Sequence, residues 1–360
     1  MGTKIEWTAD PTTGQRGETW NFLVGCSRDN AECDSCYAMH QTHRGLRPEH
    51  RGLTKLRPRD AKRPGVDWTG EVRALADRLA RPLGWKRPRN VFVNSISDLF
   101  HAQVPFEVIA AAFGVMAATP RHTYQVLTKR PERAREFFAW VAAKGASYNL
   151  LRPEGMPSAL LACAWEACVI DDHRINEDIA YTTPTVEVFG TAWPLANVHL
   201  GVSAGRQETA DEKIPVLLQL DAAVRWVSAE PLLGPIDLRP WLRADAPSLD
   251  WLVVGGESGH GARPLHVSWV QDIRDQCRAA GVAVFVKQLG PRPIIDAAPN
   301  HPLAWLARND AVKRWPAELV VARTPGTESH HTVYAHLRHP KGGDPSEWPE
   351  DLRVREWPAR

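Results

Sequence analysis

The sequence contains no long apolar run. No stretch of it approaches the ~18 uninterrupted apolar residues that a membrane-spanning helix needs. Its start, MGTKIEWTADPTTG, carries none of the apolar core that marks a secretion signal. We therefore expect a cytoplasmic protein that does not associate with membranes. Because thiols stay reduced in that compartment, clustered cysteines are expected to bind a metal or do redox chemistry rather than form disulfides.

The chain also lacks a strong net charge, since its formal value is only +2. That small total conceals an uneven distribution, because residues 43–90 hold fourteen Lys and Arg against five Asp and Glu. Such a segment suits the phosphates of a nucleic acid or a nucleotide, but a solvated surface has the same pattern. The fifteen tryptophans allow base stacking and are equally explained by packing. From these features we expect a nucleic-acid or nucleotide substrate.

Short apolar, β-branched runs alternate with helical segments along most of the chain. This alternation predicts βα units, a mostly parallel sheet and right-handed crossovers, as either an open doubly wound sheet or a full or partial barrel. The predicted strands are 19–25, 90–95, 123–128, 197–203, 223–230, 250–257 and 282–288. The predicted helices are 105–118, 131–143, 208–220 and 268–280.

Two regions break this alternation. Residues at about 145–194 hold no clear strand–helix pair and are interpreted as an insertion within a barrel domain of residues 1–290. The proline-rich and polar residues 291–360 are expected to form an irregular extension packed on that barrel. The insertion contains Cys163 and Cys168, whose spacing on an apolar segment favours a buried helix over a ligand set.

Polar or reactive side chains follow nearly every predicted strand. In βα barrels the carboxyl ends of the strands build the active site, so these side chains are candidates for it. Asp98, Lys129 and Glu230 are the candidate catalytic residues; the two carboxylates suit hydroxyl groups, and the cations Lys129, Arg130 and Arg263 suit a phosphate or carboxylate. Ion pairs at the rim of a barrel would explain the same residues.

Three cysteines lie close together after the first predicted strand. Cys26, Cys33 and Cys36 form a C-x6-C-x2-C pattern, and soft thiolates select zinc, copper(I) or iron–sulfur clusters. A 4Fe–4S cluster held by three thiolates leaves one iron open to a small molecule. Alternatively, His40 and His43 lie on the same face of a helix that begins near Cys36, and they could close a zinc site with Cys33 and Cys36. The cysteines alone leave both open.

Nine motifs in order resemble a known family. They are KIEWT, GCSRDNAECDSCYA, VFVNSISDLFH, YQVLTKRPER, VHLGVSAG, RWVSAEPLLGPID, WLVVGGESGHGARP, FVKQLG and WPEDLRVREWP. They span nearly the whole chain apart from the insertion. The chain resembles the phage-associated family named for gene products thirty-seven and sixty-eight, whose members are similar to the radical S-adenosylmethionine (SAM) superfamily.

The resemblance implies an α/β fold with a partial βα barrel and a 4Fe–4S cluster on Cys26, Cys33 and Cys36. It also implies SAM as a second cofactor and a flavodoxin- or ferredoxin-type protein as the electron donor. The C-x6-C-x2-C pattern differs from the C-x3-C-x2-C that is usual in the superfamily, and the GGE motif follows the sixth strand here instead of the second. The candidate cofactor-binding residues are Tyr37, Ser203, Gly255, Gly256 and Glu257.

The function expected from these features is reductive cleavage of SAM to a 5′-deoxyadenosyl radical that modifies a substrate. One alternative is a zinc-stabilised nucleic-acid-binding protein without catalytic activity. Another is a hydrolase that uses Glu230 or Glu257 as a general base. Neither alternative accounts for three cysteines directly after the first strand of a βα series.

Overall fold

The computed structural model describes residues 2–58, 65–147, 169–170, 173–174, 193–245, 247–259, 261–298, 309–323 and 331–358. Its internal contacts divide the chain into two compact units. The first comprises Met1–Val202 and Lys213–Trp226, and the second comprises Ser203–Glu212 and Val227–Arg360. Cys163 and Cys168 lie outside the described residues.

The main sheet has seven strands, and the chain is an α/β protein with a partial βα barrel, as predicted. The spatial order of the strands is β1-β6-β7-β10-β11-β12-β13. The pairs β1–β6, β6–β7, β7–β10 and β12–β13 are parallel. The strands are β1 (Glu18–Trp20), β6 (Asn90–Val93), β7 (Thr123–Thr128), β10 (Val198–Ser203), β11 (Val224–Ala229), β12 (Trp251–Gly255) and β13 (Ala283–Gln288).

Helices lie between these strands in the chain, close to where the sequence predicts them. Gly281 ends the helix Val267–Ala280 (α6) in the left-handed conformation at a φ of +69°, as the C′ glycine of a helix does. The α-helices are α1 (Tyr37–His43), α2 (Ala76–Leu79), α3 (Phe106–Ala117), α4 (Pro131–Ser147), α5 (Gln207–Leu217), α6 (Val267–Ala280) and α7 (Asp310–Lys313). In the described part of the chain, no helix combines the length and the apolar character that crossing a membrane requires.

Smaller antiparallel sheets complete the described structure. The described residues after position 290 are more regular than the sequence indicates, because three of their strands pair in the order β14-β16-β15. The last residues run beside β13 in the second unit, where the amide of Val286 donates to the carbonyl of Val354 at 2.9 Å. The strands of the small sheets are β2 (Leu23–Val24), β3 (Thr54–Leu56), β4 (Val66–Trp68), β5 (Arg73–Ala74), β8 (Val169–Ile170), β9 (His173–Arg174), β14 (Ile294–Ala298), β15 (Glu318–Arg323) and β16 (His331–His336).

The first predicted strand, 19–25, is two strands in the structure. The chain leaves the main sheet after β1, and β2 pairs with β5 instead. Asn94 stabilises the chain where it leaves the main sheet, since its side-chain oxygen accepts a hydrogen bond from the amide of Leu23 at 3.1 Å. The prediction that Cys26 directly follows a strand of the main sheet was therefore wrong, because Cys26 follows β2.

Helix α3 shows why the core forms where it does. Its sequence, FEVIAAAFGVMA, carries one charge, and its ten residues from Val108 to Ala117 are all buried. A helix that is apolar all round must lie inside a protein, since water cannot face any side of it without exposing apolar surface. In the second unit, α6 instead buries a stripe that includes Val270, Ile273 and Cys277. Cys277 is fully buried there.

The buried imidazole of His122 predicts acid-sensitive stability. Its Nε2 lies 3.3 Å from the carbonyl of Pro82, and burial lowers its pKa from 6.5 to about 4. The unfolded chain therefore binds a proton on this ring between those pH values and the folded chain does not, so stability falls as the pH drops from 6.5 to 4. We expect this ring to account for at most ~3 kcal/mol of that loss.

Urea denaturation at pH 7 and pH 4.5 checks this expectation. A His122→Gln variant should be less stable at pH 7 but should lose less of its remaining stability on acidification. If the variant and the parent lose the same free energy between the two pH values, His122 is not the source of the acid sensitivity.

Candidate functional site

The three cysteines lie on a short irregular segment of the first unit. Cys26 follows β2, Cys33 ends a 3-10 turn (Ala31–Cys33), and Cys36 is the residue that precedes α1. All three thiols are free. Cys33 is buried, while Cys26 and Cys36 are partly buried and pack against an apolar cluster that includes Val24.

The three thiols influence one another electrostatically. Burial, together with the neighbouring Asp98, Cys36 and Cys33, raises the pKa of Cys26 to about 12 against the opposing effect of Arg130. Burial also raises the pKa of Cys36, and Cys33 adds to that rise. Each thiol thus lies within electrostatic range of the others, in surroundings where a bare thiolate is unfavourable.

Arg130 lies beside Cys26 and is held by Asp98. One nitrogen of its guanidinium is 2.8 Å from Asp98 Oδ2 and 4.0 Å from Cys26 Sγ. The other terminal nitrogen donates to the carbonyl of Ser27 at 2.9 Å and to its hydroxyl at 3.0 Å. Arg130 therefore fixes the backbone next to the first cysteine and places a cation beside its sulfur.

Both carboxylate oxygens of Asp98, the partner of Arg130, accept hydrogen bonds from the protein. Its Oδ1 accepts the hydroxyl of Thr128 at 2.7 Å and the amide of Phe100 at 3.0 Å, and its Oδ2 accepts the amide of Lys129 at 3.0 Å as well as Arg130. The residue is only 5% exposed. The structure thus gives this candidate catalytic carboxylate a positioning role, since both oxygens are already bonded to protein donors.

A histidine supports the same segment. His101 is buried, and its Nδ1 accepts the amide of Gln103 at 3.2 Å. Its Nε2 therefore carries the proton and donates to the Ser27 hydroxyl at 2.8 Å. Burial, aided by Arg130, lowers the pKa of His101, which keeps the ring neutral at pH 7.

Lys129 is the second cation near the thiols. Burial lowers the pKa of its ammonium, but Cys33, Glu32 and Cys36 raise it by more, so the net shift is upward. The candidate catalytic residue Lys129 therefore remains charged and stabilises negative charge on Cys33 and Cys36. This surrounding suits thiolates that ligate a metal.

Further ion pairs anchor the loop between Cys26 and Cys33. The ammonium of Lys213, on α5, is 1% exposed and donates to Asp29 at 2.6 Å. Arg28 pairs with Asp34 within the same segment. Because a buried ammonium requires a partner, Lys213 constrains the path of the loop from a position 184 residues away in the chain.

Tyr37 follows the last of the three cysteines and is half exposed. Its hydroxyl donates to the carbonyl of Ser95, whose own hydroxyl donates to Asn21 at 3.1 Å. The candidate cofactor-binding side chain is thus fixed at its far end, and its ring faces solvent on one side. His40 and His43, the histidines of the alternative zinc site, are both exposed. The Nδ1 of His43 lies 3.1 Å from the hydroxyl of Thr54.

The three thiols supply the donor type that iron–sulfur clusters take, which is all that the structure establishes about a metal here. They supply three free sulfur atoms, each within electrostatic range of the other two, beside the cations of Lys129 and Arg130. In the part of the chain that the structure describes, no group of three or more His, Cys, Asp or Glu side chains is arranged to hold a metal ion.

The second unit contains the other predicted site residues. Glu230 follows β11, and both of its oxygens accept the ammonium of Lys287 on β13, at 2.6 and 2.8 Å. Gln288 donates to the same carboxylate at 3.2 Å and to the carbonyl of Gly256 at 2.7 Å. The hydroxyl of Ser203 lies 3.4 Å from the carbonyl oxygen of Glu230. Predicted strand-end residues thus meet in one polar group.

Glu257 is buried and bonded to Arg263. The guanidinium reaches its two oxygens at 3.0 and 2.5 Å, and the amide of Arg263 adds a third bond at 2.8 Å. Such a bidentate, charge-assisted pair is strong and has a specific geometry. The pair gives Glu257 a structural role in holding the loop after β12, and its binding of a cofactor stays a prediction.

Glycine at position 256 has a packing reason. A Cβ there would lie 2.7 Å from the carbonyl oxygen of Leu289, which is closer than side chains tolerate. At Gly255 a Cβ would meet Glu230 and Gln288 at 3.4 Å, in ordinary contact. Backbone of the same unit therefore fills the space beside Gly256, and SAM binding at both glycines stays a prediction.

Sequence reasoning missed several residues that position the cysteine segment. Ser27, His101 and Lys213 were not candidates, and Arg130 was considered only as a ligand for anions. Ser27 adjoins Cys26 and His101 closes the SISDLFH motif, so their place in the sequence was a usable signal. Lys213 offers none, because a lysine on a polar helix reads as exposed.

The fold and the site define a class of protein. It is an α/β protein with a partial βα barrel and a partly buried three-thiol segment held by cationic side chains. The chain belongs to the family described as protein of unknown function (DUF5131), whose model matches residues 2–309. No curated protein and no solved structure matches the chain.

Proposed function

We propose that this protein is a radical-SAM-like enzyme that binds a 4Fe–4S cluster through Cys26, Cys33 and Cys36. The observation that carries the proposal is the group of three free, mutually coupled thiols beside Lys129 and Arg130. When bound, such a cluster supplies the electron that cleaves SAM to a 5′-deoxyadenosyl radical. The exposure of both candidate histidines supports the cluster over the alternative zinc site.

The chain's own side chains have distinct tasks in this proposal. Lys129 and Arg130 offset the negative charge that three thiolates bring into a desolvated site. Asp98 orients Arg130 toward Cys26, and the bonds from Arg130 and His101 to Ser27 fix the backbone beside that cysteine. Tyr37 presents a ring next to Cys36 and is proposed to border SAM.

The remaining parts of the proposal concern partners. An electron must come from outside the chain, and a flavodoxin- or ferredoxin-type protein in the cytoplasm is the proposed donor. The substrate is proposed to be a nucleic acid or a nucleotide, on the strength of the arginine-rich segment 43–90. In the second unit, Ser203, Gly255, Gly256 and Glu257 are proposed to contribute to SAM binding, and Glu230 to the chemistry on the substrate.

Anaerobic purification with iron, sulfide and zinc analysis tests the proposal. The expected result is a brown protein with about four irons per chain and broad visible absorption. Cys33→Ala should lose the iron and the colour because it removes one of three ligands. With dithionite as reductant, the parent protein should then convert SAM to 5′-deoxyadenosine.

Cys277→Ala is the matched control, since it removes another buried thiol, on α6, that belongs to no ligand set. It should keep its iron and its colour. A colourless parent protein that carries about one zinc per chain would contradict the proposal and favour the zinc-stabilised alternative.

A further inference from the structure

We propose that a pocket beside β1 binds a nucleotide, through its phosphate and its base together. The pocket has a volume of about 250 Å³ and lies in the first unit. It does not include the cysteines, and the proposal does not rest on the proposed function. Its lining residues of interest are Glu18, Trp20, Arg78, Arg81, Trp85 and Arg89.

Three arginines of the charged segment 43–90 converge on this pocket. Arg78 comes from α2, Arg81 from the following 3-10 turn, and Arg89 from the residue before β6. A planar guanidinium matches the oxygens of a phosphate, so three in one wall are suited to an anion. The arginine-rich segment 43–90 therefore contributes three cations to one pocket of the fold, where a phosphate could bind.

Two of these arginines have donors that no atom of the described residues accepts. Arg78 pairs with Glu49, and Arg89 pairs with Glu18 at 2.5 Å. The Nε atoms of both arginines are buried and have no hydrogen-bond partner among the described residues. A buried donor without an acceptor is unfavourable, so an acceptor atom that reached either nitrogen would be favoured. A phosphate oxygen is such an acceptor.

Tryptophan supplies the aromatic surface of the pocket. Trp85 is partly exposed, the guanidinium of Arg89 lies 5.3 Å from the centre of its ring, and His122 packs edge-on against it. Trp20 is buried, and its indole donates to the carbonyl of Arg78 at 2.8 Å. An aromatic ring beside arginines is the arrangement with which proteins hold a base and its phosphate.

The volume of the pocket and the charges of its lining residues limit which ligands can bind. A volume of 250 Å³ falls just below the ~300–1,000 Å³ typical of ligand pockets, so a mononucleotide fits better than a dinucleotide. Glu18 also lines the pocket and neutralises part of Arg89, and Asp77 lies 3.5 Å from Arg81. These carboxylates reduce the net attraction for an anion. The pocket therefore suits a single nucleotide, either free or at the end of a single strand.

The pocket wall is also connected to the segment that carries the cysteines. Asn21 lines the pocket and accepts the hydroxyl of Ser95, and the carbonyl of Ser95 accepts the hydroxyl of Tyr37. Asn21, Ser95 and Tyr37 thus form one chain of hydrogen bonds that begins at the pocket.

Titration calorimetry with the full chain tests the proposal. The probes are adenosine, guanosine and uridine monophosphates, inorganic phosphate, and a fluorescently labelled ten-residue oligothymidylate followed by anisotropy. Arg81→Gln removes a pocket arginine whose side chain is 54% exposed, so it should leave the fold intact. Arg87→Gln is the matched control, since it removes an exposed arginine of the same segment that does not line the pocket.

We expect a nucleoside monophosphate to bind, with affinity at least ~5-fold weaker in Arg81→Gln and unchanged in Arg87→Gln. If the oligonucleotide also binds and the free nucleotide displaces it, the ligand is the end of a strand; if only the free nucleotide binds, it is a mononucleotide. Equal binding of inorganic phosphate would overturn the role of the base. Absence of binding, or equal loss in both variants, would overturn the site and leave the arginines as structural ion pairs.

Discussion

Replacing Asp98 with alanine is expected to lower the free energy of unfolding by about 3–5 kcal/mol. The carboxylate is 5% exposed and accepts bonds from Thr128, Phe100, Lys129 and Arg130. Its removal leaves the Arg130 guanidinium, whose side chain is 15% exposed, without its charged partner, and breaking a buried pair on one side has an effect of this size. Urea denaturation at pH 7 measures the loss.

Two further variants give this experiment its controls. Asp245→Ala breaks an exposed arginine pair, with Arg243, and should change stability little. Combining Asp98→Ala with Arg130→Met removes the uncompensated charge and should recover part of the loss. If Asp98→Ala is no less stable than Asp245→Ala, the pair is not buried in solution, and the account of how Cys26 is positioned fails with it.

The sequence predicted the repeating part of the fold well. Strand β7 and helix α6 lie within one residue of their predicted bounds, because apolar runs and the glycine after α6 are local signals. The first strand was wrong because its end depends on Asn94, which bonds Leu23 from 71 residues away. The sheet formed by β14, β15 and β16 was missed because proline and polar residues around it hid its short apolar runs.

The sequence identified candidate residues of the site, but it did not predict the hydrogen bonds and ion pairs that join them. Spacing alone brought Cys26, Cys33 and Cys36 together as a group, and strand ends identified Asp98 and Lys129. That Asp98 acts through Arg130 could not be read from the sequence, since a rim carboxylate is equally suited to a substrate. The pairing of Asp29 with Lys213 spans 184 residues and depends on the tertiary fold.

A large effect of a single methyl group is expected at Gly25, directly before Cys26. Gly25 has a φ of +92°, and a Cβ there would collide with the carbonyl oxygen of Glu71. Gly25→Ala therefore combines a strained backbone with an overpacked contact, and we expect a loss of about 3–5 kcal/mol in the free energy of unfolding. Denaturation by urea, followed by circular dichroism, measures it.

Gly70 offers an unusually close control, because it has the same φ of +92° but open space where its Cβ would lie. Gly70→Ala should show the backbone strain alone, about 1–2 kcal/mol. The difference between the two variants then isolates the contact between residue 25 and Glu71, which sets where the chain turns toward the first cysteine. Equal losses would mean that this contact does not form in solution, and Cys26 would no longer be held where Arg130 can reach its sulfur.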